Sequence, residues 1–357
     1  MSTIGRRCIM PENITERLVS ARKMAGLSLQ DLADRLEAGI TKQALNKYEH
    51  GKARPSSEVL LQIARALNVP VEYFYRTTMV ELRDIEFRKH SRLSKRDIER
   101  IKSECCDFLE RYLELENLLN IQSEFKRPLS NFRIIGDSDI ERISVDLRTE
   151  WGLGLAPIPS VVEMLEEKRV KVFEVDADHT FSGMSTWVKG IPVVVLNKNA
   201  NPQRKRFTAL HELAHLLLDL SAFDDKEHER YCNNFAGAFL VPRETFLEWF
   251  GEKRTSITLN ELKLIDENFG ISIQAIMYRA YVLGIISEPT HREFSIWLSS
   301  SGNRKQEFIE FCGKELPRRF TRLLCKAITE SVISMSKAAS LANKRLADFR
   351  EEIIAVG

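Results

Sequence analysis

The chain has 357 residues, 43% of them apolar and 29% charged, with a net charge of +2. That is ordinary for a globular protein of two or three domains, and no run approaches the ~18 apolar residues of a membrane span. The opening MSTIGRRCIMPENITERL lacks an apolar core of signal-peptide length, and Cys8, Cys105, Cys106, Cys232, Cys312 and Cys325 show no C-x-x-C spacing. The expectation is therefore a cytoplasmic protein, not secreted and without a membrane partner, whose cysteines are scattered thiols and not a disulfide framework.

From Thr15, Leu18, Ala21 and Met24 recur at helical spacing until GLS stops the pattern. Ser28 caps a second helix, LQDLADRL, whose apolar face is Leu29, Leu32, Ala33 and Leu36. EAGI breaks it, Thr41 caps a third helix, KQALNKYEHG, and Gly51 stops that one. Ser57 caps a fourth, EVLLQIARALN, and a short helix in VPVEYFYR closes the unit. Residues 1–76 carry a net +4 and the remainder −2, which points to nucleic acid at this end.

Two short helices joined by a turn inside a helical bundle form a helix-turn-helix, with the third helix destined for the major groove. Its outward positions are Thr41, Lys42, Gln43, Asn46 and Lys47, while Ala44, Leu45 and Tyr48 face inward. Gln and Asn can read adenine edges and Lys can reach guanine or phosphate. Lys52 and Arg54 follow as backbone contacts. Such residues also populate ordinary solvated faces, so spacing alone leaves the two readings level. The run LSLQDLADRL…ITKQALNKYEHGKARPSSEVLLQIARALNVPVEYFYR resembles the Xre-type (Cro/repressor-like) helix-turn-helix family. It departs in Leu29, where many members have Gln, and in a turn, LEAGIT, about two residues longer than the commonest form. The resemblance implies binding to double-stranded operator DNA and allows a homodimer.

Ser94 caps a long charged helix in which Ile98, Ile101, Cys105, Phe108, Tyr112 and Leu115 form an apolar stripe. It reads as a bridge between two halves, the stripe packing on the chain's own second domain in preference to a dimer partner. Cys105 and Cys106 are adjacent and cannot both face a core, and no chemistry is assigned to them.

Beyond it, RTEWGLGLAPIPSVVEMLEEKRVKVFEVD reads as helix, loop, helix and a strand at 170–175, followed by strands in GMSTWVK and PVVVLN. A helix starting near Pro202 then carries FTALHELAHLLLDL. Residues four apart share a helix face, so His211 and His215 can reach one ion, with Glu212 aimed at a water beside it. This is the His-Glu-x-x-His spacing of zinc peptidases. A core helix explains Phe207, Leu210, Ala214, Leu217 and Leu218 but not a buried polar triad, which is costly without partners. For the third ligand, SAFDDKEHERYCNNFAGAFLVP offers Asp224, Asp225, Glu227, His228, Glu229 and Cys232, and spacing does not choose among them.

The segment VVVLNKNANPQRKRFTALHELAHLLLDL…ERYCNNFAGAFLVP resembles the ImmA/IrrE metallopeptidases, and GISIQAIMYRAYVLGIIS extends the likeness to about residue 287. Their pattern is Arg-Phe-Thr-x-x-His-Glu-x-x-His, then Glu-x-x-x-Asn-x-Phe-Ala and Pro; Ala214 stands here where Gly is common. The resemblance implies one catalytic Zn2+ on His211, His215 and Glu229, with Glu212 as general base and Asn233, Phe235, Ala236 and Pro242 completing the motif. Tyr231 and Arg279 are the candidate oxyanion donors, and Cys232 is assigned a packing role ahead of competition for zinc.

The expected fold is α+β, mainly α: a helix-turn-helix bundle, a zincin-like domain with a small sheet, and a helical tail. The expected divisions are 1–76, a helical linker 77–125, a metallopeptidase domain 126–287 and a helical region 288–357. The implied function is a DNA-binding regulator with a zinc endopeptidase that cuts a regulatory protein of a repressor or toxin system. The alternative is a repressor or antitoxin whose peptidase-like domain binds a partner protein without significant catalysis.

Overall fold

The computed structural model describes residues 12–36, 39–76, 93–122, 124–128, 134–300 and 311–354. These fall into two compact units, one drawn from residues 12–76, 93–122 and 320–354, the other from 124–319. The architecture is the expected mainly helical α+β one. Cys8 and residues Glu37 and Ala38 of the EAGI break lie outside the described residues.

In the first unit, α1 (Glu12–Met24), α2 (Leu29–Arg35), α3 (Lys42–Glu49) and α4 (Ser57–Ala66) are followed by a 3-10 turn, Val71–Tyr75. Ser28 caps α2 with a full capping box and Thr41 caps α3. The cap of α4 is Ser56 and not Ser57, because it is the Ser56 hydroxyl that accepts from the Val59 amide. Leu18, Leu32, Leu45, Ile63, Tyr73 and Phe74 form the core.

The long helix α5 (Lys95–Leu118), capped by Ser94, is built into this unit. Arg17 pairs with Glu110 at 2.6 Å, and buried Asp107 holds Arg76 and Arg111 at 3.3 and 2.8 Å. The sequence reading seats the apolar stripe on the second domain, whereas the C-terminal part of the stripe is covered by helices of the first unit. Tyr112 and Leu115 are covered by α14 (Arg319–Thr329), α15 (Met335–Leu341) and α16 (Leu346–Ile354), through Leu324, Ala327, Ala338 and Phe349. This unit thus draws on residues from both sides of the segment 124–319. Cys105 is fully buried, and burial pushes the Cys106 thiol up to about 11, so neither is a reactive thiolate.

The second unit contains α6 (Asp137–Glu150), α7 (Val161–Glu167), strands β1 (Lys171–Val175), β2 (Gly183–Val188) and β3 (Ile191–Asn197), and helices α8 (Pro202–Leu217) to α13. Of these, α9 is Asp225–Leu240, α10 Arg243–Phe250, α11 Leu259–Phe269, α12 Ile273–Val282 and α13 Glu288–Ser300. The sheet order is β1-β3-β2, with β1 parallel and β2 antiparallel to β3. Central β3 is buried almost throughout, whereas edge strand β2 alternates. One apolar core joins the sheet to α8 and α9 through Val194, Leu196, Leu210, Leu213, Phe235 and Phe239.

Arg206 anchors α8. Its guanidinium is fully buried, pairs with Glu315 at 2.6 Å and donates to the Ile158 and Phe269 carbonyls. The same Glu315 carboxylate accepts from the Val161 and Val162 amides at the start of α7. Replacing Glu315 with Ala strands a buried guanidinium and should cost about 3–5 kcal/mol. A lower urea midpoint at unchanged slope is the expected readout.

Candidate metal centre

Asn201 accepts from the Arg204 amide and Pro202 sits in the first turn, which fixes where α8 begins. From that start His211 and His215 fall one turn apart, pointing towards α9. Asp224 caps α9, and this sets the phase of Glu229. The His211 and His215 Nε2 atoms lie 3.0 Å apart, and the Glu229 carboxylate is 3.4 Å from one and 3.3 Å from the other. Ligands at 2.0–2.1 Å around a tetrahedral ion would be separated by roughly 3.3 Å, so this nitrogen–nitrogen–oxygen set fits zinc.

The electrostatics agree with that fit. Burial opposes a charge on His211, but the Glu229 and Glu212 carboxylates and Asn233 outweigh it and hold its pKa above the ordinary histidine value. Hydrogen bonds from His211 and then His215 hold Glu229 well below the usual carboxylate range. The cluster thus favours positive charge where the ion would sit.

Two further contacts aim the set. Asn233 Oδ1 lies 3.0 Å from His211 Nδ1 and accepts a hydrogen bond from it, leaving the Nε2 lone pair for a metal. Glu212 is 7% exposed, and one of its oxygens accepts from the Ser185 hydroxyl at 2.7 Å. Ser185 was not legible in the sequence, because it lies on β2, 27 residues before Glu212. Its only signal is the alternation of GMSTWV, which puts Gly183 and Ser185 on one face. Gly183 allows the approach: a Cβ there would sit 2.6 Å from Thr208 on α8 and 2.9 Å from the Val195 carbonyl.

A cleft of about 340 Å³ opens on this cluster, walled by Gly183, Ser185, Arg204, Thr208 and Glu229. Of the predicted oxyanion donors, Arg279 is spent on Glu141, through two hydrogen bonds, and on the Val241 carbonyl. Tyr231 is buried against Phe223 and Arg230. Neither lines the cleft; Arg204 does, its guanidinium held by Ser182 at 2.8 Å. Of the other candidate ligands, Asp224 is the α9 cap and Asp225 and Glu227 lie in its first turn. Phe235 and Ala236 are core, and Pro242 precedes α10. Cys232 is fully buried in the core, as a packing role requires, yet its Sγ lies 3.4 Å from His215 Nδ1.

In the helix-turn-helix, Thr41, Lys42, Gln43, Asn46, Lys47, Lys52 and Arg54 are all exposed, and Leu45 is buried. The Thr41 hydroxyl is engaged in capping, accepting from the Ala44 amide at 3.2 Å.

Comparison with known proteins places both regions. Residues 165–281 match the peptidase family described as IrrE N-terminal-like domain, and residues 18–74 match the family described as helix-turn-helix. The "SPbeta prophage-derived uncharacterized HTH-type transcriptional regulator YonR" of Bacillus subtilis (strain 168) is 40% identical over 63 residues, which is 18% of this chain and 56% of that protein. An uncharacterized HTH-type transcriptional regulator of Sinorhizobium medicae (strain WSM419) is 38% identical over 63 residues, 18% of this chain and 44% of that protein. The chain thus spans about half the length of these relatives.

Asn233→Ala should weaken zinc binding by roughly 10- to 100-fold, read by competition with a chromophoric chelator. Because His211 holds its proton more tightly than usual, zinc affinity should rise with pH through that raised value and then level off. Gly183→Ala should lower thermal stability by about 1–3 kcal/mol, since Thr208 or the Val195 carbonyl must give way.

Proposed function

We propose that this chain, which joins a helix-turn-helix domain to an IrrE-like peptidase-family domain, is a DNA-binding regulator with a zinc-dependent endopeptidase. Its substrate in this reading is a regulatory protein of a repressor or toxin system. The observation that carries the catalytic half is the placement of Glu212. Its carboxylate is buried, anchored by Ser185 and open to the same cleft as His211, His215 and Glu229. A site that only held an ion would have no use for a second, non-ligating carboxylate at its mouth.

Bound to those three side chains, zinc supplies Lewis-acid activation of water and of the peptide carbonyl. Glu212 takes the proton of the attacking water and returns it to the leaving amine. The Ser185 hydrogen bond restrains its carboxylate between the two positions. Arg204 is the cleft residue suited to stabilising the carbonyl oxygen as it becomes negative. Among the described residues edge strand β2 pairs with β3 on one side only, so an extended substrate segment can pair along its other edge at Gly183–Ser185.

The DNA-binding half rests on α3. Gln43 and Asn46 are the base readers, Lys42 and Lys47 reach guanine or phosphate, and Lys52 and Arg54 position the backbone. Thr41 contributes by starting the helix. Lys47→Ala should lower the salt dependence of operator binding by about one counterion, whereas Gln43→Ala should relax sequence preference.

The deciding experiment compares protein N-termini in cells making the wild type with those making Glu212→Gln. A fragment present only with the wild type, and a purified activity lowered about 10²- to 10⁴-fold in the variant, are expected. Equal N-terminal profiles with zinc bound in both proteins would instead favour the repressor or antitoxin that binds its partner uncut.

A further inference from the structure

The second nitrogen of His215 faces a donor set that the proposed catalysis does not use. His215 Nδ1 lies 3.1 Å from His228 Nε2 and 3.4 Å from Cys232 Sγ, on the side of the ring away from Glu229. All three donor atoms lie within 4.8 Å of one another. Zinc–nitrogen bonds of 2.0–2.1 Å and zinc–sulfur bonds of about 2.3 Å would separate tetrahedral ligands by roughly 3.3 and 3.6 Å. The observed spacings are close to these. Cys232 is fully buried, the His215 side chain is 5% exposed and His228 is half-buried, so His228 is the most exposed of the three.

From this geometry we propose that His215, His228 and Cys232 form a second, inhibitory cation site that takes a thiophilic divalent ion, cadmium or excess zinc. It rests on the reading of His211, His215 and Glu229 as the catalytic set. A neutral imidazole has one lone pair and one N–H. With the catalytic ion on Nε2, the His215 proton sits on Nδ1 and points at His228 and Cys232. With an ion on Nδ1, the proton moves to Nε2 and points at His211 and Glu229. A neutral His215 therefore serves one position at a time. Entry into the second one releases the Cys232 thiol proton to solvent as the sulfur–metal bond forms. The softer thiolate set then discriminates in favour of thiophilic ions, whereas the catalytic set has only nitrogen and oxygen donors.

The test uses the zinc-free full-length protein and Co2+ as the probe. Wild type should develop near-ultraviolet cobalt–thiolate absorption during the titration. That absorption should survive in Glu229→Gln, where the competing set is weakened, and vanish in Cys232→Ser. His228→Gln, at a half-exposed position that leaves the core intact, should abolish it as well and covers the case in which Cys232→Ser fails to fold. Adding Cd2+ to the protein carrying one zinc should release zinc from wild type and not from Cys232→Ser. Absence of thiolate absorption in wild type, or its persistence undiminished in Cys232→Ser, overturns the proposal. Proteolysis plays no part in these readouts. Failure of the catalytic reading, seen as equal N-terminal profiles with Glu212→Gln, is therefore separate.

Discussion

The candidate metal centre depends on helix α8 being held on two sides at once. One side lies against edge strand β2, where Gly183 admits Thr208 and Ser185 reaches Glu212. The other lies against α9, which supplies Glu229, Asn233 and the core residues Phe235 and Phe239. Ligand atoms about 3 Å apart tolerate little sliding between the helices, and the buried Arg206–Glu315 pair fixes the position of α8 along its axis. The pair is a poor source of net stability by itself, since desolvation offsets most of its attraction. Its value is that it ties the starts of α7 and α8 to a single carboxylate.

Much of this was legible because the signals were local. Ser28, Thr41, Ser94 and Pro202 each mark a helix start within three residues, and the three strands fell in the runs expected to form them. Ser56 and Ser57 are a fair example of the limit. Adjacent serines offer the same hydroxyl, and only backbone geometry decides which accepts the Val59 amide. His211 and His215 needed nothing beyond helical periodicity. The choice of Glu229 over His228 and Cys232 needed the phase of α9, which a resemblance supplied and spacing did not.

What the sequence concealed is contact between distant segments. Ser185 with Glu212, and Arg206 with Glu315 across 109 residues, leave no periodic trace. The apolar stripe of α5 was visible, but its partners Leu324, Ala338 and Phe349 come more than 200 residues later. An amphipathic helix shows that it must be covered and never by what. The oxyanion candidates failed for a related reason. Arg279 and Tyr231 have suitable chemistry, yet Glu141 and the aromatic Phe223 already occupy them.

The concealed contacts also explain the order of the chain. The helix-turn-helix unit is assembled from both ends of the described sequence, with residues 124–319, which carry the candidate metal cluster, inserted between α5 and α14. A domain joined by one linker can be exchanged or lost without consequence for its neighbour's core. Here the chain leaves the helix-turn-helix unit after α5 and must return to it at α14, because Tyr112 and Leu115 are buried by what returns. The two units are thus joined by two passages of the chain, one after α5 and one before α14. Both passages end in the apolar cluster that completes the core around α5.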